Sequence, residues 1–230
     1  AANANSNLHD ISAMIETREG YAPQKPETLA AYLSGIDTVR RILGGRPEQW
    51  SIAEVGDGNL NLVFIVKGPA GGVAVKQALP YVRLVGESWP LPLSRAHYEH
   101  MALTEQARLT GSLVPKIHHY DETLALIVME LLEPHIIMRR GMITATVYPN
   151  FADDISTFMA RTLYFTSDLA LTADRKKTLI AAFSGNTALC KITEDLIFTD
   201  PYRVAELNRW TSPQLDAYAE RWREDGDLKV

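Results

Sequence analysis

Apolar residues recur at helical spacing in the first part of the chain. The positions are Leu29, Leu33, Ile36, Val39 and Leu43. Spacings of three and four residues place such side chains on one side of an α-helix. Pro26 suits a first helical turn, and Gly44 and Gly45 stop the pattern. The pattern predicts one amphipathic helix over residues 27–43, within a helical N-terminal extension over residues 1–50.

From about residue 50 the apolar period changes to two. Short segments rich in β-branched residues lie at 52–55, 60–66 and 73–77, and turns that contain glycine separate them. Alternation over such lengths is typical of half-buried strands. We therefore predict a three-stranded antiparallel meander in this part of the chain.

A helix and two further strands are predicted after the meander. The helix runs from residue 95 to about 109, with Ser94 as its N-cap and Gly111 at its end. The strands lie near 116–120 and 124–131.

Beyond Pro134 the pattern is helical again. Four segments begin with an N-cap residue type or an acidic first turn, and they lie at 151–171, 173–183, 186–198 and 213–229. The order of elements predicts an α+β fold. The N-lobe covers residues 51–133 and contains an antiparallel five-stranded sheet and one main helix, with a hinge at 130–134. Residues 135–230 form part of a helical C-lobe.

Composition narrows the classes of partner. The chain has 230 residues, a formal net charge of −5 and a pI near 5.7, which disfavour a broad surface for nucleic acid or an anionic membrane. Cys190 is the sole cysteine, so no intrachain disulfide is expected, and no Cys/His cluster indicates zinc. Without a signal peptide or a membrane-length apolar run, a cytoplasmic protein with a small-molecule partner is expected.

The stretch EVGDGNLNLVF, residues 54–64, places Gly56 and Gly58 in front of a predicted strand. A dinucleotide-binding fingerprint needs a helix after the glycines, and Asn61 occupies the place of its third glycine. A glycine loop between two antiparallel strands is instead what the kinase fold lays over ATP phosphates. A plain hairpin turn is the alternative.

Lys76 follows three small apolar residues on the third predicted strand, much like the strand lysine of kinases. A lysine that keeps an edge strand soluble is the alternative. The kinase pattern needs a glutamate on the next helix to hold the lysine against the phosphates. Glu99, in the first turns of that helix, is the expected partner, and Glu105 is the competing choice.

The buried strand in LIVMELLEP, residues 126–134, ends at Glu130 and breaks at Pro134. A strand end of this kind suits a hinge whose backbone groups bind the edge of an adenine ring. Any strand followed by a proline has a similar pattern, and the indication gains weight from its order after the glycine loop, the lysine and the glutamate.

Six stretches of the sequence resemble the 5-methylthioribose kinases, over residues from about 52 to 230. They are EVGDGNLNLVF, VKQALPYVR, GESWPL, KIHHYD, ITEDLIFTDPYR and NRWTSP. The resemblance implies a protein-kinase-like fold that transfers the γ-phosphate of ATP to the 1-hydroxyl of methylthioribose in methionine salvage. It also implies Mg²⁺ as cofactor and a homodimer.

The same resemblance implies which residues meet the nucleotide. ATP would be contacted by Gly56, Asp57, Gly58, Asn59, Asn61 and Lys76, with Glu99 as the orienter of Lys76, and adenine by Glu130, Leu131 and Leu132. Leu131 stands where many members carry an acidic residue, so a backbone contact at the hinge is expected.

The family's catalytic loop, a His-Gly-Asp type motif, is not found in this chain. Gly226 and Asp227 lack the preceding histidine and match a charged helix of the family better. The catalytic aspartate and the Mg²⁺ ligands are therefore expected beyond residue 230. On this interpretation no catalytic or metal-ligating residue lies in this chain, and the isolated polypeptide should show no appreciable turnover.

Two other interpretations stay open at this point. One keeps the fold and changes the acceptor to an aminoglycoside, choline or homoserine. The other is a noncatalytic module that binds nucleotide or a protein partner. Loss of the Lys76–Glu99 pair should weaken ATP binding in a kinase and matter little in a pure interaction module.

Overall fold

The structure is a computed structural model. It describes residues 16, 18–56, 60–83, 86–206 and 208–228. The chain divides into two compact units, residues 1–183 and 184–230.

The predicted helix over 27–43 is two helices, α1 (Pro26–Ser34) and α2 (Asp37–Leu43). The single-helix prediction is wrong because Ile36 adopts an extended conformation, with φ −102° and ψ 105°, next to the poor helix former Gly35. The break leaves the apolar set intact. Four of its five members, Leu29, Leu33, Val39 and Leu43, are fully buried, and Ile36 is partly buried against them.

Helix α2 ends where the glycines were expected to end it. Gly44 has a φ of +64°, a left-handed conformation that glycine adopts without the strain of a Cβ atom. Its N–H donates to the carbonyl of Arg40 at 2.9 Å, which closes the last turn.

Seven strands follow in the described part of the first unit. They are β1 (Ser51–Glu54), β2 (Asn61–Lys67), β3 (Gly72–Ala78), β4 (Tyr81–Val82), β5 (Gly86–Pro90), β6 (Ile117–Asp121) and β7 (Leu126–Glu130). Five of them form one antiparallel sheet in the order β1-β2-β3-β7-β6. The predicted meander and the α+β fold with a five-stranded antiparallel sheet are confirmed.

Strands β4 and β5 pair with each other in a separate hairpin that was not predicted. Two residues of β4 are too short a run to show a period, and Pro90 argues against a strand in sequence. The proline is tolerated because it ends its strand, where no ladder N–H is needed.

The main helix, α3 (Arg95–Thr110), confirms the prediction for 95–109. The predicted cap by Ser94 is wrong. Ser94 is itself in the helical region, with φ −58° and ψ −15°, and its side chain makes no capping hydrogen bond. Gly111 ends the helix with a φ of +63°, as expected.

Among the described residues, three more helices follow in the first unit, α4 (Met138–Ile143), α5 (Phe151–Phe165) and α6 (Ala173–Phe183). The second unit contains α7 (Thr187–Thr193), continued by a π-helical segment at Glu194–Thr199, and α8 (Asp216–Glu224) between short 3₁₀ turns. Helix α4 was not predicted, and the helices predicted at 151–171 and 213–229 are shorter than expected. Within the described ranges, no helix combines the length and apolar character that crossing a bilayer requires.

One face of the five-stranded sheet packs on α1 and α2. The sheet side chains of this core are Phe64, Val66, Val73, Val75, Leu126 and Val128. Gln77 lies on the same face of β3, two residues after Val75, and is also fully buried. A buried amide is tolerated where its hydrogen bonds are made.

Gln77 makes those bonds to two distant parts of the chain. Its Oε1 accepts the backbone N–H of Gln24 at 2.7 Å. Its Nε2 donates to the carbonyls of Ala22 at 3.0 Å and Leu124 at 2.9 Å. The side chain therefore holds the segment before α1 and the turn before β7 against β3.

Helix α3 packs on β6 through His100, whose ring stacks on Tyr120 with centroids 4.3 Å apart and an interplanar angle of 8°. Burial, and then the neighbouring His97, lower the pKa of His100 below its ordinary value of 6.5. The fold therefore favours the neutral ring.

Replacing Gln77 with methionine should destabilise the first unit by about 2 kcal/mol, because methionine fills a similar volume but leaves the partly buried N–H of Gln24 without its acceptor. Urea unfolding followed by circular dichroism measures the loss. The matched control is Gln106→Met on the half-exposed surface of α3, where we expect a change of less than about 0.5 kcal/mol. Equal effects of both substitutions would contradict the anchoring role of Gln77.

Acid should weaken the fold partly through His100. Its pKa in the folded protein lies below the unfolded value, so its contribution is complete above about pH 6.5 and is lost as the pH falls from there through the folded pKa. His100→Phe keeps a stacked ring and removes the charge. We expect its unfolding free energy to fall less between pH 7 and pH 5 than that of the natural protein, in urea titrations at each pH, with the exposed His135→Phe as control. Identical pH slopes for the natural protein and His100→Phe would refute this account.

Candidate nucleotide-binding site

Lys76 lies on the face of β3 opposite to the α1–α2 core, because side chains alternate along a strand and Val75 and Gln77 face the core. In the register of the sheet, Lys76 stands between Val63 of β2 and Ile127 of β7. Other residues of this face are Ile65, Ala74 and Met129, which with Val63 are partly exposed. The sheet thus presents a half-open apolar surface around one lysine.

Lys76 and Glu99 form an ion pair, with Nζ donating to Oε1 at 2.6 Å. Glu99 projects from the second turn of α3. The competing residue, Glu105, is instead paired with Arg108 one turn along the same helix, through Nε–Oε2 at 3.1 Å. The structure therefore brings together the two residues that were predicted to meet, and their role toward a nucleotide stays a prediction.

The exposure of this pair bears on its purpose. The two side chains are 31% and 32% exposed. Ion pairs with this access to water contribute at most about 1 kcal/mol to stability. The clearest effect of the pair is orientation, because it holds the lysine ammonium at one place above the open sheet surface.

The glycine loop lies between β1 and β2. Val55 donates its N–H to the carbonyl of Val63 at 2.8 Å, which closes the hairpin. At Gly56, an added Cβ atom would meet no described atom within 4 Å, so packing in the described part of the protein does not require glycine there. The other predicted loop contacts, Asp57, Gly58 and Asn59, lie outside the described residues.

Asn61, the last predicted contact of the loop, begins β2 and is engaged by a residue that the sequence analysis missed. Its Oδ1 accepts a hydrogen bond of 3.0 Å from Nη2 of Arg95, the first residue of α3. Arg95 is 6% exposed, and burial lowers its pKa to about 10. The sequence offered one weak signal, an arginine at the start of the predicted helix, four residues before Glu99.

The predicted hinge follows β7. Glu130 is exposed, and its carboxylate accepts the N–H of Lys116 at 3.1 Å while its own N–H donates to the carbonyl of Lys116 at 2.8 Å. The carboxylate therefore accepts a hydrogen bond from the residue just before β6. Leu131 accepts the N–H of Glu133 at 3.1 Å, and Leu132 is 43% exposed. The expected contact of the hinge backbone with adenine stays a prediction.

The hinge is also tied to the meander. Glu133 pairs with Lys67 at the end of β2, with Nζ and Oε1 2.6 Å apart. Among the residues that the structure describes, no group of three or more His, Cys, Asp or Glu is arranged to hold a metal ion.

Curated proteins of one kind match most of the chain. Methylthioribose kinase of Escherichia coli O45:K1 (strain S88 / ExPEC) is 51% identical over 198 residues, which are 86% of this chain and 47% of that protein. Methylthioribose kinase 2 of Oryza sativa subsp. japonica is 42% identical over 220 residues, which are 95% of this chain and 52% of that protein. Methylthioribose kinase 1 of the same plant is 43% identical over 213 residues, which are 92% of this chain and 50% of that protein.

No protein-family model matches the chain. The chain spans about half the length of the curated relatives that it matches. By sequence, therefore, this chain belongs with the methylthioribose kinases, as a homologue that covers about half of each.

Proposed function

We propose that this chain supplies the ATP-binding part of a kinase that phosphorylates 5-methylthioribose at its 1-hydroxyl, in methionine salvage. The observation that carries the proposal is the Lys76–Glu99 ion pair on the half-open face of the sheet. The relatives are kinases by name, and their names supply the sugar substrate.

Lys76 is suited to bind phosphate oxygens of ATP. Its ammonium can donate three hydrogen bonds, and Glu99 accepts one of them at 2.6 Å. The remaining donors are available to the α- and β-phosphates. Because Glu99 already restricts the long side chain, less rotamer entropy remains to be lost when the nucleotide binds.

The base of the nucleotide has a suitable surface on the same face of the sheet. Ala74 of β3 and Met129 of β7 are paired in the register of the sheet, and both are partly exposed. Strand β7 leads directly into the hinge. A flat aromatic base can bury apolar surface there while its edge meets hinge backbone groups. We assign that edge contact to the backbone of Glu130, Leu131 and Leu132, since the Glu130 carboxylate is held by Lys116.

When bound, ATP supplies the phosphoryl group that is transferred. We propose that it binds as its Mg²⁺ complex, because phosphate oxygens are the hard ligands that Mg²⁺ prefers. In this chain, Lys76 and the glycine loop bind the phosphates. Glu99 orients Lys76.

A homodimer and a cytoplasmic location belong to the same proposal. Both are supported by the resemblance to methylthioribose kinases. Light scattering on the eluting protein tests the dimer through its molar mass, against 25.6 kDa for one chain.

The sugar acceptor can be tested in a hybrid protein. In the E. coli relative, the segment that this chain matches would be replaced by this chain. We expect the hybrid to phosphorylate methylthioribose in preference to choline, homoserine or an aminoglycoside. A hybrid that favours one of those other alcohols would overturn the assignment of the sugar.

Substitution of the ion pair should weaken ATP binding. We expect Lys76→Met to raise the Kd for ATP by about tenfold or more, since it removes a charge-assisted contact, and Glu99→Gln to raise it less, since the lysine remains but is no longer held. Isothermal titration with MgATP measures both.

Glu105→Gln is the matched control, because Glu105 lies on the same helix and pairs with Arg108 instead. Its Kd should stay within about twofold of the natural value. Unchanged ATP affinity in Lys76→Met, or no measurable ATP binding by the natural protein, would favour a noncatalytic interaction module and end the kinase proposal.

A further inference from the structure

The buried guanidinium of Arg95 connects three separate parts of the first unit. Nη2 donates to the carbonyl of Leu60 at 2.7 Å and to Oδ1 of Asn61 at 3.0 Å. Nη1 donates to the carbonyls of Leu79 at 2.6 Å and Pro92 at 2.9 Å. These oxygens lie where the glycine loop enters β2, just after β3, and just before α3.

The loop end is therefore fixed to the helix that carries Glu99. Arg95 and Glu99 are four residues apart on α3, so their side chains leave the same side of the helix, one turn from each other. Glu99 holds Lys76 of β3, and Arg95 holds the residues that follow the glycine loop. One helix thus sets the place of both elements that are proposed to meet phosphates.

From this geometry we infer that Arg95 is a positioning residue, which fixes the C-terminal end of the glycine loop against α3 and thereby raises the affinity for the phosphates of the nucleotide. Its effect on phosphate affinity rests on the proposed function. Its effect on the loop does not.

Arginine suits this position for a geometric reason. The planar guanidinium presents its donors in a fixed fork, so one side chain can serve the loop with one terminal nitrogen and the β3–α3 connection with the other. A lysine ammonium is a single point on a flexible stem and cannot span both groups of carbonyls. A buried cation with several carbonyl partners is also costly to disturb, which gives the arrangement one preferred geometry.

The first experiment compares ATP with adenosine, which has the base and no phosphates. In Arg95→Lys we expect the Kd for MgATP to rise by about tenfold, while the Kd for adenosine changes by less than about twofold. Arg108→Lys is the matched control, on the same helix but 54% exposed, and it should leave both constants unchanged. Equal weakening of ATP and adenosine in Arg95→Lys would overturn the inference, because it indicates general damage to the fold.

The second experiment needs no nucleotide. Hydrogen–deuterium exchange of the ligand-free protein should show faster exchange at residues 60–63 in Arg95→Lys than in Arg108→Lys, with residues 74–77 unchanged. If Arg95→Lys does not fold, Asn61→Ala removes one acceptor of the fork and should produce a smaller increase at the same amides.

If Arg95→Lys and Arg108→Lys show the same exchange at residues 60–63, the positioning role is overturned, even where the natural protein binds ATP. Conversely, a natural protein that fails to bind ATP removes the proposed function, and the exchange data still decide whether Arg95 holds the loop.

Discussion

The alternation of side chains along β3 is the constraint on which the rest of the site depends. Burial of Val73 and Val75 against the N-terminal helices, with Gln77 buried on the same face, forces Lys76 to the other face of the sheet. A shift of one residue in register would exchange the two faces and bury the ammonium in an apolar core. The free energy of core packing therefore also fixes the direction of the Lys76 side chain.

Stability and chemistry are divided between two kinds of polar contact in this unit. Gln77 and Arg95 are buried and bond to backbone carbonyls, so they hold segments of chain in place. The Lys76–Glu99 pair is about one-third exposed and adds little to stability. Its main effect is to hold the Lys76 ammonium at one defined point on the partly exposed face of the sheet.

The sequence was informative where the pattern is local and repeated. Period-two runs predicted the meander. The choice of Glu99 over Glu105 followed from position on the helix, and the structure pairs Glu99 with Lys76 and Glu105 with Arg108. Long-range contacts carry no such period. The engagement of Asn61 by Arg95 joins residues 34 apart in sequence and depends on how the helix sits on the sheet. The errors at Ile36 and Ser94 arose because backbone conformation at helix ends follows tertiary packing as well as residue type.

The contacts of Gln77 with Ala22 and Gln24 bear on how the protein can be shortened. The segment before α1 has no regular secondary structure from residue 21 to residue 25 and would be an obvious place to cut when designing a minimal fragment for expression. A fragment that starts at Pro26 would retain every helix and strand of the first unit in the described ranges. It would nevertheless leave the amide of Gln77 without its partners in residues 22 and 24. Gln77 is the neighbour of Lys76 on β3, so the loss would be felt on the strand that carries the lysine.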